Sequence, residues 1–110
     1  IEGAGYSIVK TLVGHGVGRE LHEAPQVPNF LKGDIASTPE LEEGMTMAIE
    51  PIYAMGKGDI VYSNNDGWTL ATRDRSLSAE CEHSVAVTSG EPLVLTQHHS
   101  NGAGLTKAFE

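Results

Sequence analysis

Residues 14–25 read GHGVGRELHEAP, and this stretch decides how the chain folds. Gly14, Gly16 and Gly18 alternate with His15 and Val17. Glycine at every second position strips one face of an extended segment, so another backbone or a ligand can approach that face closely. The pattern is not a phosphate loop, because G-x-x-x-x-G-K is absent. An imidazole between two glycines is open to a ligand or to proton transfer, although a turn histidine bonded to backbone reads the same way in isolation. Upstream, residues 6–13 hold Tyr6, Ile8, Val9, Leu12 and Val13, and their β-branched and aromatic content predicts a strand.

Two later stretches, MAIEP at 47–51 and SAECEHSV at 78–85, each carry a carboxylate that matters. His15, Glu50 and Glu82 stand about 35 and 32 residues apart, so only a fold can gather them. One imidazole with two carboxylates suits hard or borderline divalent metals and points to metal-assisted hydrolysis. Residues 45–52 alternate with period two: Met45, Met47 and Ile49 on one side, Thr46, Ala48 and Glu50 on the other. Glu50 therefore shares its face with small residues, which leaves room beside it. A carboxylate in an apolar strand needs a cation or an arginine, and the chain offers Arg19, Arg73 and Arg75. In 82–87, read as a strand, Glu82 and His83 face opposite ways, and Glu82 is the inward candidate. His22, seven residues after His15, faces the opposite side of a continuous strand. Spacing alone makes it a surface histidine paired with Glu23. Cys81 reads as a packed thiol, and His98-His99 as part of a solvated tail.

Elsewhere, 24–30 is an extended loop with Pro25 and Pro28, and 31–38 is an irregular connection. Asn64-Asn65-Asp66-Gly67 predicts a turn between strands at 60–62 and 68–72. A further strand is expected at 93–95. The reading is β-dominated, with little helix. Residues 1–96 form one domain, and 97–110, polar and aperiodic, form a flexible tail.

The 110 residues carry a formal charge of −8, which weighs against nucleic acid and against an anionic membrane surface as partners. No apolar run approaches the ~20 residues of a membrane span. Cys81 has no internal partner for a disulfide, so a reducing, cytoplasmic setting is expected. The chain begins Ile-Glu-Gly without an initiating Met, and it is read as a piece of something larger.

Three stretches in order resemble the type 1 methionine aminopeptidases of the pita-bread fold. They are VGHGVGRELHEAPQVPN (13–29), LEEGMTMAIEP (41–51) and NDGWTLATRDRSLSAECEHSVAVT (65–88). The resemblance covers roughly residues 6–96. It implies an α+β fold of which this chain is the β-rich C-terminal half, a curved antiparallel sheet. It also implies two divalent ions (Co, Mn, Fe or Zn) on five protein ligands, with His15, Glu50 and Glu82 as three of them and Glu82 shared by both ions. His22 is then the group that contacts the scissile carbonyl, Trp68 flanks the pocket for the methionine side chain, and Glu50 handles the proton of the attacking water. The remaining ligands, two aspartates, come with another histidine from the half that precedes these motifs. Asp34, Asp59, Asp66 and Asp74 occur in the wrong contexts to replace them. The implied partners are the N-termini of nascent polypeptides or peptides and the missing N-terminal half, which leaves the isolated chain with little or no activity. Leu21 and Cys81 depart from the aromatic residues usual before His22 and Glu82. The rival readings are an X-Pro hydrolase like prolidase or aminopeptidase P, and a non-catalytic binding module.

Overall fold

The computed structural model describes residues 1–97; most of the expected tail, 98–110, lies outside the described residues. Ten short strands carry the fold: β1 (Ser7–Ile8), β2 (Gly14–Gly16), β3 (Glu23–Val27), β4 (Thr46–Ile49), β5 (Ile52–Ala54), β6 (Ile60–Tyr62), β7 (Leu70–Thr72), β8 (Ser78–Glu80), β9 (His83–Ala86) and β10 (Leu93–Val94). Among the described residues, helix is limited to single 3-10 turns at Glu2–Ala4 and Ile35–Ser37. All pairings are antiparallel. The β-rich, antiparallel expectation with little helix therefore holds.

A five-stranded sheet runs β10-β9-β4-β2-β3, a three-stranded sheet runs β1-β5-β8, and β6-β7 is a hairpin. Two of these sheets share their chains. The segment that leaves the larger sheet as β4 enters the smaller as β5, and the one that leaves the smaller as β8 enters the larger as β9. Both crossings sit at the same level. The register that pairs Ile49 with His83 resumes without a slip as Ile52 with Glu80. Pro51 marks one crossing, because proline cannot donate to a ladder. Across it, the Cys81 amide donates to the Pro51 carbonyl at 3.3 Å.

The glycine alternation does what its chemistry dictates. Gly14 and Gly16 are buried, and a Cβ at either would overlap a backbone carbonyl, that of Ala48 or of Ala24 respectively. Bare backbone thus lets β2 sit between β3 and β4. The expected strand at 6–13 is shorter, and the extended loop at 24–30 is instead largely strand β3. The core is small: Ile8, Val9, Met47, Ala48 and Ala54. Large apolar side chains such as Leu21, Leu31, Ile35 and Leu77 stand exposed. Among the described residues no helix is long and apolar enough to cross a membrane.

Candidate metal centre

His15 lies on β2 opposite Ala48 of β4, and Ala48 lies opposite Ser84 of β9. Two residues along the same face from Ala48 and Ser84 come Glu50 and Glu82. The continuous register sets these two carboxylates directly across from each other at the crossing between sheets. Small Ala48 and Ser84 leave the space in front of them open. His15, Glu50 and Glu82 each offer a ligand atom, and these atoms lie within 4.8 Å of one another. No arginine answers Glu50 among the described ion pairs; its partner is His15, with Nε2 to Oε1 at 3.3 Å.

Proton bookkeeping decides what this cluster is suited for. The His15 Nδ1 is 2.8 Å from the Gly16 carbonyl oxygen. A carbonyl can only accept, so Nδ1 carries the proton and donates. With Nδ1 as the donor, Nε2 faces a carboxylate oxygen at 3.3 Å, and a proton or a cation must mediate between them. Glu50 is largely buried, with 16% of its side chain exposed. Desolvation first, and repulsion from Glu82 second, push its carboxyl above the ordinary value of 4.5, with His15 pulling the other way. Like charges directly opposite each other on paired strands are destabilising by themselves. A ring nitrogen and two carboxylates with ligand atoms this close, Glu50 half-buried and Glu82 exposed rather than inward, fit a divalent cation.

His22 departs from the expectation drawn from its spacing. The pairing shifts between His15 and Gly16, from Gln26 to Glu23, and 18–22 bends back on itself. This bulge carries the His22 ring to 4.1 Å from the His15 ring, centroid to centroid. Glu23 does not pair with His22 among the described ion pairs. Its carboxylate accepts from the Glu20 amide at 2.9 Å and covers Gly18, where a side chain would collide with it. Two extra residues on β3, Ala24 and Pro25, make this irregularity, which an alternation argument does not register.

His83 points elsewhere, as alternation requires: its Nδ1 is 3.0 Å from Thr96 Oγ1, which also accepts from the Ser84 amide. Glu82 lies in the crossing, so the strand expected over 82–87 is observed as His83–Ala86, and Cys81 is exposed, not packed. Trp68, 86% exposed, stands on the β6-β7 hairpin in a hollow lined by Tyr62, Gly67, Thr69 and Leu70. Asp66 shapes that turn by accepting from the Trp68 and Thr69 amides, both at 2.9 Å. Asp34 accepts from the Ala36 amide, and Asp74 from the amides of Lys57 and Ser76. These aspartates serve their own turns. A contact that sequence reasoning did not foresee comes from Asn29, whose Nδ2 donates to the Glu50 carbonyl at 3.0 Å.

The model of metallopeptidase family M24 matches residues 1–89. The methionine aminopeptidase of Clostridium perfringens is 46% identical over 96 residues, 87% of this chain and 37% of that protein. That of Aquifex aeolicus is 43% identical over 93 residues, 84% of this chain and 36% of that protein. The crystal structure of the Thermotoga maritima methionine aminopeptidase superposes with a TM-score of 0.82 at 42% identity, over 89% of this chain and 38% of that one. The Rickettsia prowazekii structure gives 0.80 at 40% identity, over 87% and 38%. The chain thus spans little more than a third of the relatives it matches, and its strand pairing follows their pita-bread fold. With the family match running through the stretches that hold His15, Glu50 and Glu82, the chain belongs to metallopeptidase family M24.

Proposed function

We propose that this chain is the C-terminal half of the catalytic domain of a methionine aminopeptidase, an enzyme that removes the N-terminal methionine of nascent polypeptides and peptides in the cytoplasm. The carrying observation is the facing pair Glu50 and Glu82 with the His15 Nε2 at 3.3 Å from Glu50. His15, Glu50 and Glu82 would hold divalent metal, two ions in the complete site. Metal bound there supplies a lowered water pKa and polarisation of the substrate carbonyl.

The protein groups divide the remaining work. Glu50 takes up the proton of the attacking water. His22, beside His15, donates a hydrogen bond to the oxygen that gains charge during attack. One such donor contributes about 2.7–4 kcal/mol. Trp68 offers an uncovered indole face to the methionine side chain. The remaining ligands belong to a preceding segment, which also covers apolar side chains such as Leu21 and Leu77.

The test is hydrolysis of a Met-Ala peptide by the intact protein with Co²⁺, Mn²⁺, Fe²⁺ or Zn²⁺. The reading expects metal-dependent release of methionine, lost in Glu82→Gln, with the 110-residue chain alone inactive. Preference for X-Pro peptides, or no metal-dependent hydrolysis at all, contradicts it.

A further inference from the structure

We propose that Asn29 is a positioning residue for the Glu50 carboxylate. This rests on reading the centre as a divalent metal site. Glu50 is the first residue of a break in the strand, and such a residue lacks the ladder that holds its neighbours. β4 ends at Ile49 and β5 begins at Ile52. The two carbonyls of the break are each held from outside the strand. Asn29 Nδ2 donates to the Glu50 carbonyl at 3.0 Å, and the Cys81 amide donates to the Pro51 carbonyl at 3.3 Å. The second bond couples the break to the residue preceding Glu82. The first couples it to the segment that leaves β3.

The reach of Asn29 is built into the sheet. β2 separates β3 from β4, yet Asn29 crosses from the end of one to the end of the other. It can do so because β2 opposes Val27 with Gly14, a residue without a side chain. A Cβ at Gly14 would collide with the Ala48 carbonyl oxygen and stand 3.3 Å from Val27 Cβ. Asn29 uses the Glu50 carbonyl and leaves the carboxylate free. It is half-buried, and among the described residues the carbonyl it satisfies has no ladder partner to fall back on. Loss of the amide frees the backbone torsions on which the carboxylate turns. Groups that orient metal ligands typically change affinity by about 10–100-fold when removed.

The experiment measures Mn²⁺ affinity by calorimetry in the intact protein, with Asn29→Leu, Asn29→Ser and Asn29→His. Leu keeps the volume and removes the donor. Ser is a milder removal if Leu does not fold. The His ring places a nitrogen as far from Cβ as the Asn amide, so it can restore the bond. The expected result is about a tenfold or greater loss for Leu and Ser, recovery in His, and metal-free melting temperatures that do not follow the affinities. Equal affinity in all variants overturns the role of Asn29 and leaves the metal site standing. If the wild-type protein binds no Mn²⁺, the metal reading fails, and the metal-free crystal structure of the Leu variant decides the positioning claim. Displacement of the Glu50 carboxylate from His15 supports it; an unchanged 3.3 Å separation overturns it.

Discussion

Glu50 and Glu82 face each other across two antiparallel chains at the point where both chains pass from one sheet to the other. No other placement would serve as well. Inside a sheet, facing carboxylates would be forced together by the ladder. At the crossing, the ladder is reduced to the Cys81–Pro51 bond, and the side chains open onto His15.

This arrangement sets function against stability at Glu50. Its carboxyl is raised by burial and by Glu82. A group whose folded value exceeds its unfolded value contributes stability that is full below the unfolded value, near 4.5, and lost as pH rises through the higher folded value. The metal-free protein should therefore lose stability at this site as pH rises above about 4.5. Glu50→Gln should remove that loss, gaining about 0.2–1 kcal/mol at pH 7 in chelator, the scale of one cross-strand charge pair. It should also abolish stabilisation by added Mn²⁺. Thermal unfolding against pH, with and without metal, checks both. A less stable metal-free variant at pH 7 would count against the repulsion described here.

His22 reaches the centre only through the bulge after His15, and its ring carries none of the three ligand atoms. His22→Ala should lower kcat by about 10²–10³-fold, with Mn²⁺ affinity unchanged. Steady-state kinetics alongside calorimetry would separate this from a ligand role, in which affinity would fall as well.

Gly14 and Gly16 carry the close approach of three strands. Ala at either position would drive a Cβ into backbone, which cannot swing aside as a side chain can. A loss of about 1–3 kcal/mol is expected in urea unfolding, the usual scale of overpacking. Gly3→Ala, with open space around it, should be near neutral.

Asp74 accepts the amides of Lys57 and Ser76, and these bonds hold its carboxyl down at about 2 from an ordinary 3.8. Its contribution is present above the ordinary value and lost as pH falls through the depressed one. The difference in melting temperature between wild type and Asp74→Asn should be constant above about pH 4 and close as pH falls toward 2. A gap that persists at pH 2 would show that the carboxylate charge is not what the turn uses.

The parts of the fold legible in the sequence were those with a local physical cause. Alternating glycines announced close backbone approach, and alternation in 45–49 placed Glu50 on the face of Ala48. Asn64-Asn65-Asp66-Gly67 marked a hairpin turn, in which Gly67 has a positive φ of 69°. What stayed hidden depended on partners far along the chain. Pro51 and Cys81-Glu82 break their strands at matched positions, and only the pairing register shows that the breaks coincide. The turn of 18–22 that delivers His22 follows from a bulge and from the Glu23 carboxylate over Gly18, neither of which periodicity registers. The reach of Asn29 to Glu50 spans 21 residues and has no local sign beyond the VPN that contains it.

The central claim is that His15, Glu50 and Glu82 converge on a common cation. Anomalous diffraction from crystals of the intact protein soaked in Mn²⁺ tests it most directly. The expected result is a peak within coordination distance of His15 Nε2 and of both carboxylates. A peak elsewhere, or three side chains unchanged around an empty centre at saturating metal, would contradict it.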